Sequence, residues 1–207
     1  MTIRIKFCGI THPEDAVKAA DAGADLIGLN FVPGSPRELE LEVAEEIAAV
    51  AKGRVERVGV FSDASPEEIE RVLRRVDLDR LQFHGDETEE EVEEVDLPVI
   101  KAIRGADLEA AESYPGTIVL LDHPTRGGGS GEKWAWSDAA PLIASGHDVI
   151  LAGGLDPESV GEALADLGDL LPWGVDVATG VEGVDRRKDP EKMARFVAAV
   201  RRAESRE

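Results

Sequence analysis

Cysteine, lysine, aromatic residues and long apolar runs are all scarce in this chain of 207 residues. The single cysteine, Cys8, excludes an intramolecular disulfide and cannot by itself build a thiolate metal site. No apolar stretch approaches the roughly 20 residues that cross a membrane, and the N-terminus shows no charged segment followed by an apolar run and a cleavage site. We therefore expect a soluble cytoplasmic protein that does not contact a membrane.

Basic residues are also few, since 23 of them stand against 43 acidic residues, and seven of the 23 are lysines. The formal net charge of -20 would repel nucleic acids and anionic membranes, so neither is expected as a partner. Acid-rich, lysine-poor surfaces are typical of proteins from salt-accumulating halophiles, because concentrated salt screens the repulsion between acidic groups. We therefore expect a salt-rich cytoplasm and a fold that is weak in dilute buffer.

Short apolar runs alternate with helical patterns along the whole chain. The predicted strands lie near residues 3–8, 25–31, 55–61, 79–83, 98–103, 117–122, 148–152 and 173–177. The predicted helices lie near residues 13–23, 41–52, 66–76, 87–95, 106–113, 137–145, 157–167 and 189–204. Several helix starts carry a capping residue followed by proline, as at Ser65-Pro66 and Asp189-Pro190.

Eight strand–helix units in about 200 residues predict an α/β protein, a single compact (β/α)8 TIM barrel over residues 1–207. A chain of this length with 43% hydrophobic residues can bury one sizeable core and needs no second domain. A doubly wound open sheet is the alternative. That fold usually has a glycine-rich dinucleotide-binding loop after the first strand, and Cys8-Gly9-Ile10-Thr11 is not such a loop.

Polar residues and glycine-rich turns follow the predicted strands, at the face where barrels carry their active sites. The candidates from this pattern are Cys8, Arg37, His84, Asp122, Gly153, Gly154, Thr179 and Gly180. The connection between Asp122 and Trp136 is long and glycine-rich, which predicts a lid or binding loop. The four histidines lie far apart without ligand spacing, so no metal is expected.

Eight motifs carry a resemblance to a known family. They are Lys6-Phe7-Cys8-Gly9-Ile10-Thr11; Gly28-Leu29-Asn30-Phe31 with Ser35-Pro36-Arg37; Val58-Gly59-Val60-Phe61; Leu81-Gln82-Phe83-His84-Gly85-Asp86; Leu121-Asp122; Gly128-Gly129-Ser130-Gly131 with Trp134-Ala135-Trp136; Leu151-Ala152-Gly153-Gly154-Leu155; and Asp176-Val177-Ala178-Thr179-Gly180-Val181-Glu182. In this order, the whole chain resembles phosphoribosylanthranilate isomerase, a barrel enzyme of tryptophan biosynthesis. The resemblance implies an Amadori rearrangement that converts N-(5-phosphoribosyl)anthranilate, a phosphosugar, into 1-(2-carboxyphenylamino)-1-deoxyribulose 5-phosphate without a cofactor.

The resemblance also implies the roles of the site residues. Cys8 is expected to be the general base and Asp122 the general acid, which requires a thiolate beside Lys6 and a protonated carboxyl group. Arg37 is expected to bind the anthranilate carboxylate through two hydrogen bonds. A surface ion pair of Arg37 with Glu38 or Glu40 remains the alternative.

Phosphate binding is expected at the loops after the seventh and eighth strands, where glycines let backbone N–H groups approach an anion. The residues expected there are Gly153, Gly154, Thr179 and Gly180, with Gly129 of the glycine-rich loop as a further contact. His84 is a second binding candidate, although a lone histidine at a strand end is more often structural. Trp134 and Trp136 are expected to pack the loop after the sixth strand.

Three positions depart from the family pattern. Ala178 stands where serine is common, which removes one hydroxyl near the phosphate, and His123 stands where a small polar residue is usual. A charged imidazole at His123 would oppose a protonated Asp122. Arg186 stands where we expect glycine, so the local turn should differ.

Three other functions remain open at this point. Indole-3-glycerol-phosphate synthase would bring a catalytic Lys–Glu set and an N-terminal extension, and a dual isomerase of the histidine pathway uses two aspartates instead of Cys8. A non-catalytic phosphate-ligand binding protein is disfavoured by the presence of both Cys8 and Asp122. Monomer and homodimer are both compatible with the motifs.

Overall fold

Eight parallel strands form a closed barrel in the computed structural model, which describes residues 2–124 and 134–205. Each strand pairs with the next, and β8 pairs with β1. The strands are β1 Arg4–Phe7, β2 Leu26–Asn30, β3 Glu56–Phe61, β4 Arg80–Phe83, β5 Val99–Arg104, β6 Ile118–Asp122, β7 Val149–Leu151 and β8 Gly174–Val177. The predicted (β/α)8 barrel is confirmed.

Helices follow the strands on the outside of the barrel. They are α1 Pro13–Ala22, α2 Leu41–Ala51, α3 Pro66–Leu73, α4 Glu89–Glu93, α5 Leu108–Glu112, α6 Ala140–Ala144, α7 Val160–Ala165 and α8 Pro190–Glu204. Two short 3-10 helices, Trp136–Ala139 and Thr179–Val181, precede α6 and follow β8. Within the described residues, no helix is long and apolar enough to span a bilayer.

Local hydrogen bonds explain where two of the helices begin. Ser65 accepts from the backbone N–H of Glu68, and Glu68 accepts from that of Ser65, so a capping box starts α3 at the predicted position. Helix α7 begins three residues later than predicted, because Asp156 Oδ1 accepts from the N–H groups of Glu158 and Ser159 and holds a turn there.

Two apolar layers hold the barrel together. The larger lies between the strands and the helices, and the smaller fills the barrel interior, where it includes Leu26, Val58, Ile100, Leu120 and Ile150. Burial of these side chains is the main driving force for the fold. Polar side chains replace apolar ones towards the carboxyl ends of the strands: Lys6, Gln82, Asp122 and Asp176 are all buried.

A buried carboxylate ties α1 to the loop before α8. Asp15 is fully buried and accepts from Arg187 Nε at 2.7 Å, Arg187 Nη2 at 2.8 Å and the backbone N–H of Lys188 at 3.1 Å. Burial alone would raise the pKa of Asp15, but these donors together hold it below its ordinary value. The contact joins the first helix to the end of the chain and so stabilises the closed barrel.

Arg186 lies in the same loop, with a φ of 56°. This is the left-handed region that glycine favours, so the arginine itself takes up the conformation for which glycine was expected.

Candidate active site

A cavity of about 570 Å³ opens at the carboxyl ends of the strands. The predicted site residues that line it are Cys8, Arg37, His84, Asp122, Gly153, Gly154, Thr179 and Gly180. The fold therefore brings together all the predicted residues that the structure describes. Gly129 and most of the predicted lid loop lie outside the described residues.

Cys8 follows β1 and is held by a backbone hydrogen bond of 2.9 Å to the carbonyl oxygen of Val177. A Cβ atom added to Gly28 would lie 2.7 Å from Cys8 Sγ and 3.3 Å from Lys6 Nζ, so the thiol and the ammonium group occupy the space beside this glycine. Burial raises the pKa of the Cys8 thiol, and the charge of Lys6 opposes this rise without cancelling it. The site therefore favours the neutral thiol of Cys8 over the thiolate that the proposed role as general base requires.

Lys6 lies one layer deeper and pairs with Asp176. Its Nζ donates to Asp176 Oδ1 at 2.8 Å, a contact set by the register of β1 and β8, in which Lys6 and Asp176 are partners. Burial lowers the pKa of Lys6, but the negative charge of Asp176, with a smaller contribution from the Cys8 side chain, raises it above its ordinary value. Lys6 therefore remains a cation next to the thiol.

Asp122 ends β6, and its two carboxyl oxygens have different partners. Oδ1 accepts from the backbone N–H of His123 at 2.8 Å, and Oδ2 lies 3.1 Å from His84 Nε2. Gly153 packs against this carboxyl group with a φ of 76°, and a Cβ atom there would lie 3.1 Å from Asp122 Oδ1. Glycine is thus required here both for conformation and for space.

Arg37 has a partner that sequence reasoning missed. Its Nε donates to Glu182 Oε1 at 2.7 Å, and its Nη2 donates to Glu182 Oε2 at 3.0 Å and to Thr179 Oγ1 at 3.1 Å. The two-bond contact expected for the substrate carboxylate is therefore made with Glu182, and the alternative partners Glu38 and Glu40 are not used. Among the described residues, Nη1 has no hydrogen-bond partner.

Glu182 is itself buried and bridges two cations. Lys188 Nζ donates to Glu182 Oε1 at 2.9 Å and to the carbonyl oxygen of Ala178 at 3.0 Å. Burial would raise the pKa of Glu182, but Arg37 and Lys188 hold it below its ordinary value. Burial also lowers the pKa of Lys188, although the negative charge of Glu182 opposes this change. Through these contacts, Glu182 holds the loop after β8 against the loop that carries Arg37.

The loops that follow β7 and β8 contact each other where Gly180 of the second loop approaches Leu155 of the first. A Cβ atom on Gly180 would lie 2.2 Å from the carbonyl oxygen of Leu155, so only glycine allows this approach. Gly153 and Gly154 have φ of 76° and 80°, which turns two successive peptide groups at the cavity wall.

Trp134 and Trp136 both donate from their indole nitrogens to the carbonyl oxygen of Ala152 at 3.0 Å. The two indoles therefore pack against the end of β7.

Comparison with known proteins identifies the family. The family model described as N-(5'-phosphoribosyl)anthranilate (PRA) isomerase matches residues 5–199. The chain belongs to the PRA isomerase family. It is 44% identical to N-(5'-phosphoribosyl)anthranilate isomerase of Neisseria gonorrhoeae (strain NCCP11945), with 97% of each chain covered.

Solved structures of the family share the fold over nearly the whole chain. The phosphoribosyl anthranilate isomerase of Thermus thermophilus is 39% identical, with a TM-score of 0.87 and coverage of 97% of this chain and 99% of its own. A further PRA isomerase, in complex with reduced 1-(o-carboxyphenylamino)-1-deoxyribulose 5-phosphate, is 33% identical with a TM-score of 0.85 and the same coverage. The resemblance read from the motifs is thereby confirmed.

Proposed function

We propose that this protein catalyses the isomerisation of N-(5'-phosphoribosyl)anthranilate in tryptophan biosynthesis, with Asp122 as the general acid and Cys8 as the general base. The observation that carries the assignment of roles is that the two side chains line one cavity from the non-adjacent strands β1 and β6. A substrate between them has a proton donor on one side and a proton acceptor on the other, which is what this rearrangement needs.

In the first step, Asp122 gives its proton to the ribose ring oxygen. The C1'–O bond breaks with its electron pair going to that oxygen, and the anthranilate nitrogen supplies the electrons of an iminium. Asp122 is left ionised, a form stabilised by the His123 N–H and by His84. The carboxylate product of the transfer therefore already has its hydrogen-bond donors.

In the second step, the thiolate of Cys8 removes the proton from C2'. The C–H electrons form the C1'–C2' double bond, and the iminium nitrogen regains its electron pair. The resulting enolamine becomes the ketone as its C2' hydroxyl loses a proton and C1' gains one. Proton exchange with solvent then returns Asp122 and Cys8 to their starting forms. The raised pKa of Cys8 makes the thiolate a stronger base once it is formed, and Lys6 supplies the neighbouring positive charge that stabilises it. Both steps are proton transfers that need no metal or cofactor.

The two ends of the substrate are assigned to opposite parts of the cavity. We assign the anthranilate carboxylate to Nη1 of Arg37, since Glu182 and Thr179 occupy Nε and Nη2 and hold the guanidinium in place. We assign the phosphate to backbone N–H groups of the loops that contain Gly153, Gly154, Thr179 and Gly180, which meet beside the cavity. His84 would contact the substrate beside Asp122.

The wider assignments follow from the same activity. We propose that residues 1–207 act as one catalytic domain in the cytoplasm, on a phosphosugar substrate, as a monomer or a homodimer. The acidic surface makes nucleic acid an unsuitable partner.

The test is turnover in molar KCl, with the substrate generated in situ, for wild type and for Cys8→Ala and Asp122→Asn. We expect an active wild type, with both variants folded but slower by at least about a hundredfold, the scale of a general acid or base. A folded wild type that binds a product analogue without turning over substrate would contradict the proposal and indicate a binding protein.

A further inference from the structure

A buried glutamine stands behind the proposed acid. Gln82, in β4, is 1% exposed and lines the cavity. Its Nε2 lies 3.0 Å from His84 Nδ1, and His84 Nε2 lies 3.1 Å from Asp122 Oδ2. Within the part of the chain that the structure describes, Gln82 Oε1 is the one buried side-chain oxygen or nitrogen without a hydrogen-bond partner. Gln82, His84 and Asp122 form a chain that we call the amide relay.

The chemistry of the amide decides where the protons of the relay lie. An amide nitrogen only donates, so His84 Nδ1 must offer a lone pair to Gln82, and the ring proton lies on Nε2. That proton points to Asp122 Oδ2, while the N–H of His123 points to Oδ1. A carboxyl group that accepts at both oxygens is stabilised in its ionised form. This arrangement is therefore that of Asp122 after it has given up its proton.

The opposite orientation of the amide fits the acid before it reacts. The two ends of a primary amide have nearly the same shape, so half a turn about the last side-chain bond places Gln82 Oε1 against His84 Nδ1. Nδ1 then carries a proton, and Nε2 shares a second proton with Asp122. The His84–Asp122 pair holds one proton more than before, and this is the proton that the ring oxygen receives.

We propose that Gln82 is a positioning residue, whose amide turns over as the His84–Asp122 pair gains and loses a proton and so offers a matched partner to both forms. The inference rests on the proposed role of Asp122 as general acid. In either orientation one end of the amide stays buried without a partner, which costs stability that an apolar residue in this barrel layer would not lose. Only a group that can both donate and accept serves both forms.

Other charged groups lie around the pair. On the side of β5 and α5, where a second cavity of about 400 Å³ adjoins the first, these groups are Asp86, Lys101, Arg104, Asp107 and Tyr114. Across the main cavity they are Cys8, Arg37, Asp156 and Asp176. His123 follows Asp122 directly in the chain. All of these remain in the Gln82 variants, so Gln82→Met removes only the amide, whereas Gln82→Glu also adds a negative charge beside His84.

The experiment compares wild type with Gln82→Glu and Gln82→Met, and with Ile100→Val as a packing control. Ile100 is the partner of Gln82 in the register of β4 and β5 and lies in the apolar interior. The ring nitrogens of His84 are followed by NMR against pH in molar KCl on protein with nitrogen-15 histidine, and are assigned with His84→Asn. The pH dependence of kcat is measured on the same proteins.

A carboxylate only accepts, so Gln82→Glu should hold the Nδ1–H form and move the His84 transition to higher pH by about one unit. The high-pH limb of kcat should move with it. Gln82→Met should lose the Nε2–H preference of the wild type at high pH and reduce kcat about tenfold with KM unchanged, as expected for one positioning hydrogen bond. Ile100→Val should reproduce the wild-type transition.

The proposal is overturned if His84 changes between the same tautomers in wild type and in Gln82→Met. A shift in Gln82→Glu with no change in Gln82→Met also overturns it, because the added charge moves the transition by itself. If Gln82→Met does not fold, an Nε2–H tautomer of His84 in Gln82→Glu overturns it. The NMR transition needs no turnover, so it separates the two claims. Full activity of Asp122→Asn would refute the acid role of Asp122, whereas the tautomer of His84 in Gln82→Met decides the relay.

Discussion

Removal of the buried cation beside the thiol should have two separable effects. Lys6 is 1% exposed and its Nζ lies 2.8 Å from Asp176 Oδ1, so Lys6→Met leaves an unpaired carboxylate in the barrel. Breaking a buried pair in this way costs about 3–5 kcal/mol of unfolding free energy. For a chain of this size, that lowers Tm by about 6–20 °C, measured by circular dichroism. Adding Asp176→Asn should restore most of the loss, because the unpaired charge is gone.

The second effect concerns the reactivity of Cys8. Without the opposing charge of Lys6, burial should raise the pKa of the thiol further, and alkylation by iodoacetamide should shift to higher pH. Lys101→Met is the matched control, because Lys101 is also buried and pairs with Glu87 at 2.8 Å. It should lose comparable stability without moving the alkylation curve. An unchanged curve in folded Lys6→Met would refute the proposed influence of Lys6.

Four further outcomes follow from named contacts. The pKa of Asp15 is lowered in the fold, so its contribution to stability is complete above the unfolded-state pKa of about 4 and is lost as the pH falls through the folded value. Asp15→Asn should therefore flatten the acid side of the unfolding free energy against pH, and an unchanged slope would contradict this. Arg186→Gly should raise the unfolding free energy by about 0.5–1 kcal/mol in urea titrations, because it relieves a left-handed arginine; a loss of stability would show that the side chain matters more. Glu182→Gln should raise KM about tenfold with kcat little changed, because Arg37 loses its carboxylate partner; a lower KM would mean that Glu182 competes with the substrate. Tm should rise between low and molar KCl, because salt screens the repulsion that the net charge of -20 causes. A constant Tm would contradict the expectation of a salt-rich cytoplasm.

The barrel and the position of the site could be predicted from the sequence because both depend on local patterns. Strict alternation of strand and helix implies parallel strands, and parallel strands in a closed barrel bring their carboxyl ends to one mouth. Cys8 and Asp122 therefore had to share a face once their strands were known. The start of α7 was missed because a side chain, Asp156, caps the backbone before the helix begins.

The partners inside the site could not be predicted, because they depend on distant residues and on burial. Arg37 and Glu182 are separated by 145 positions, and nothing in the motif around Arg37 names its partner. The alternation of residues along β4 predicts which face of the strand carries Gln82, but it does not predict the contact of Gln82 with His84. The pKa of Cys8 is set by a balance of burial against the charge of Lys6, and that balance needs the packed structure.

The division of labour between Cys8 and Asp122 is tested most directly by a deuterium isotope effect. Substrate labelled at C2' is turned over by wild type, Cys8→Ser and Asp122→Asn, and kcat is compared with that for unlabelled substrate. If Cys8 removes the C2' proton, the effect should increase in Cys8→Ser, where that step becomes slowest. If Asp122 opens the ring, the effect should shrink towards unity in Asp122→Asn, where ring opening limits the rate. The same isotope effect in both variants, or the reverse order, would contradict the account.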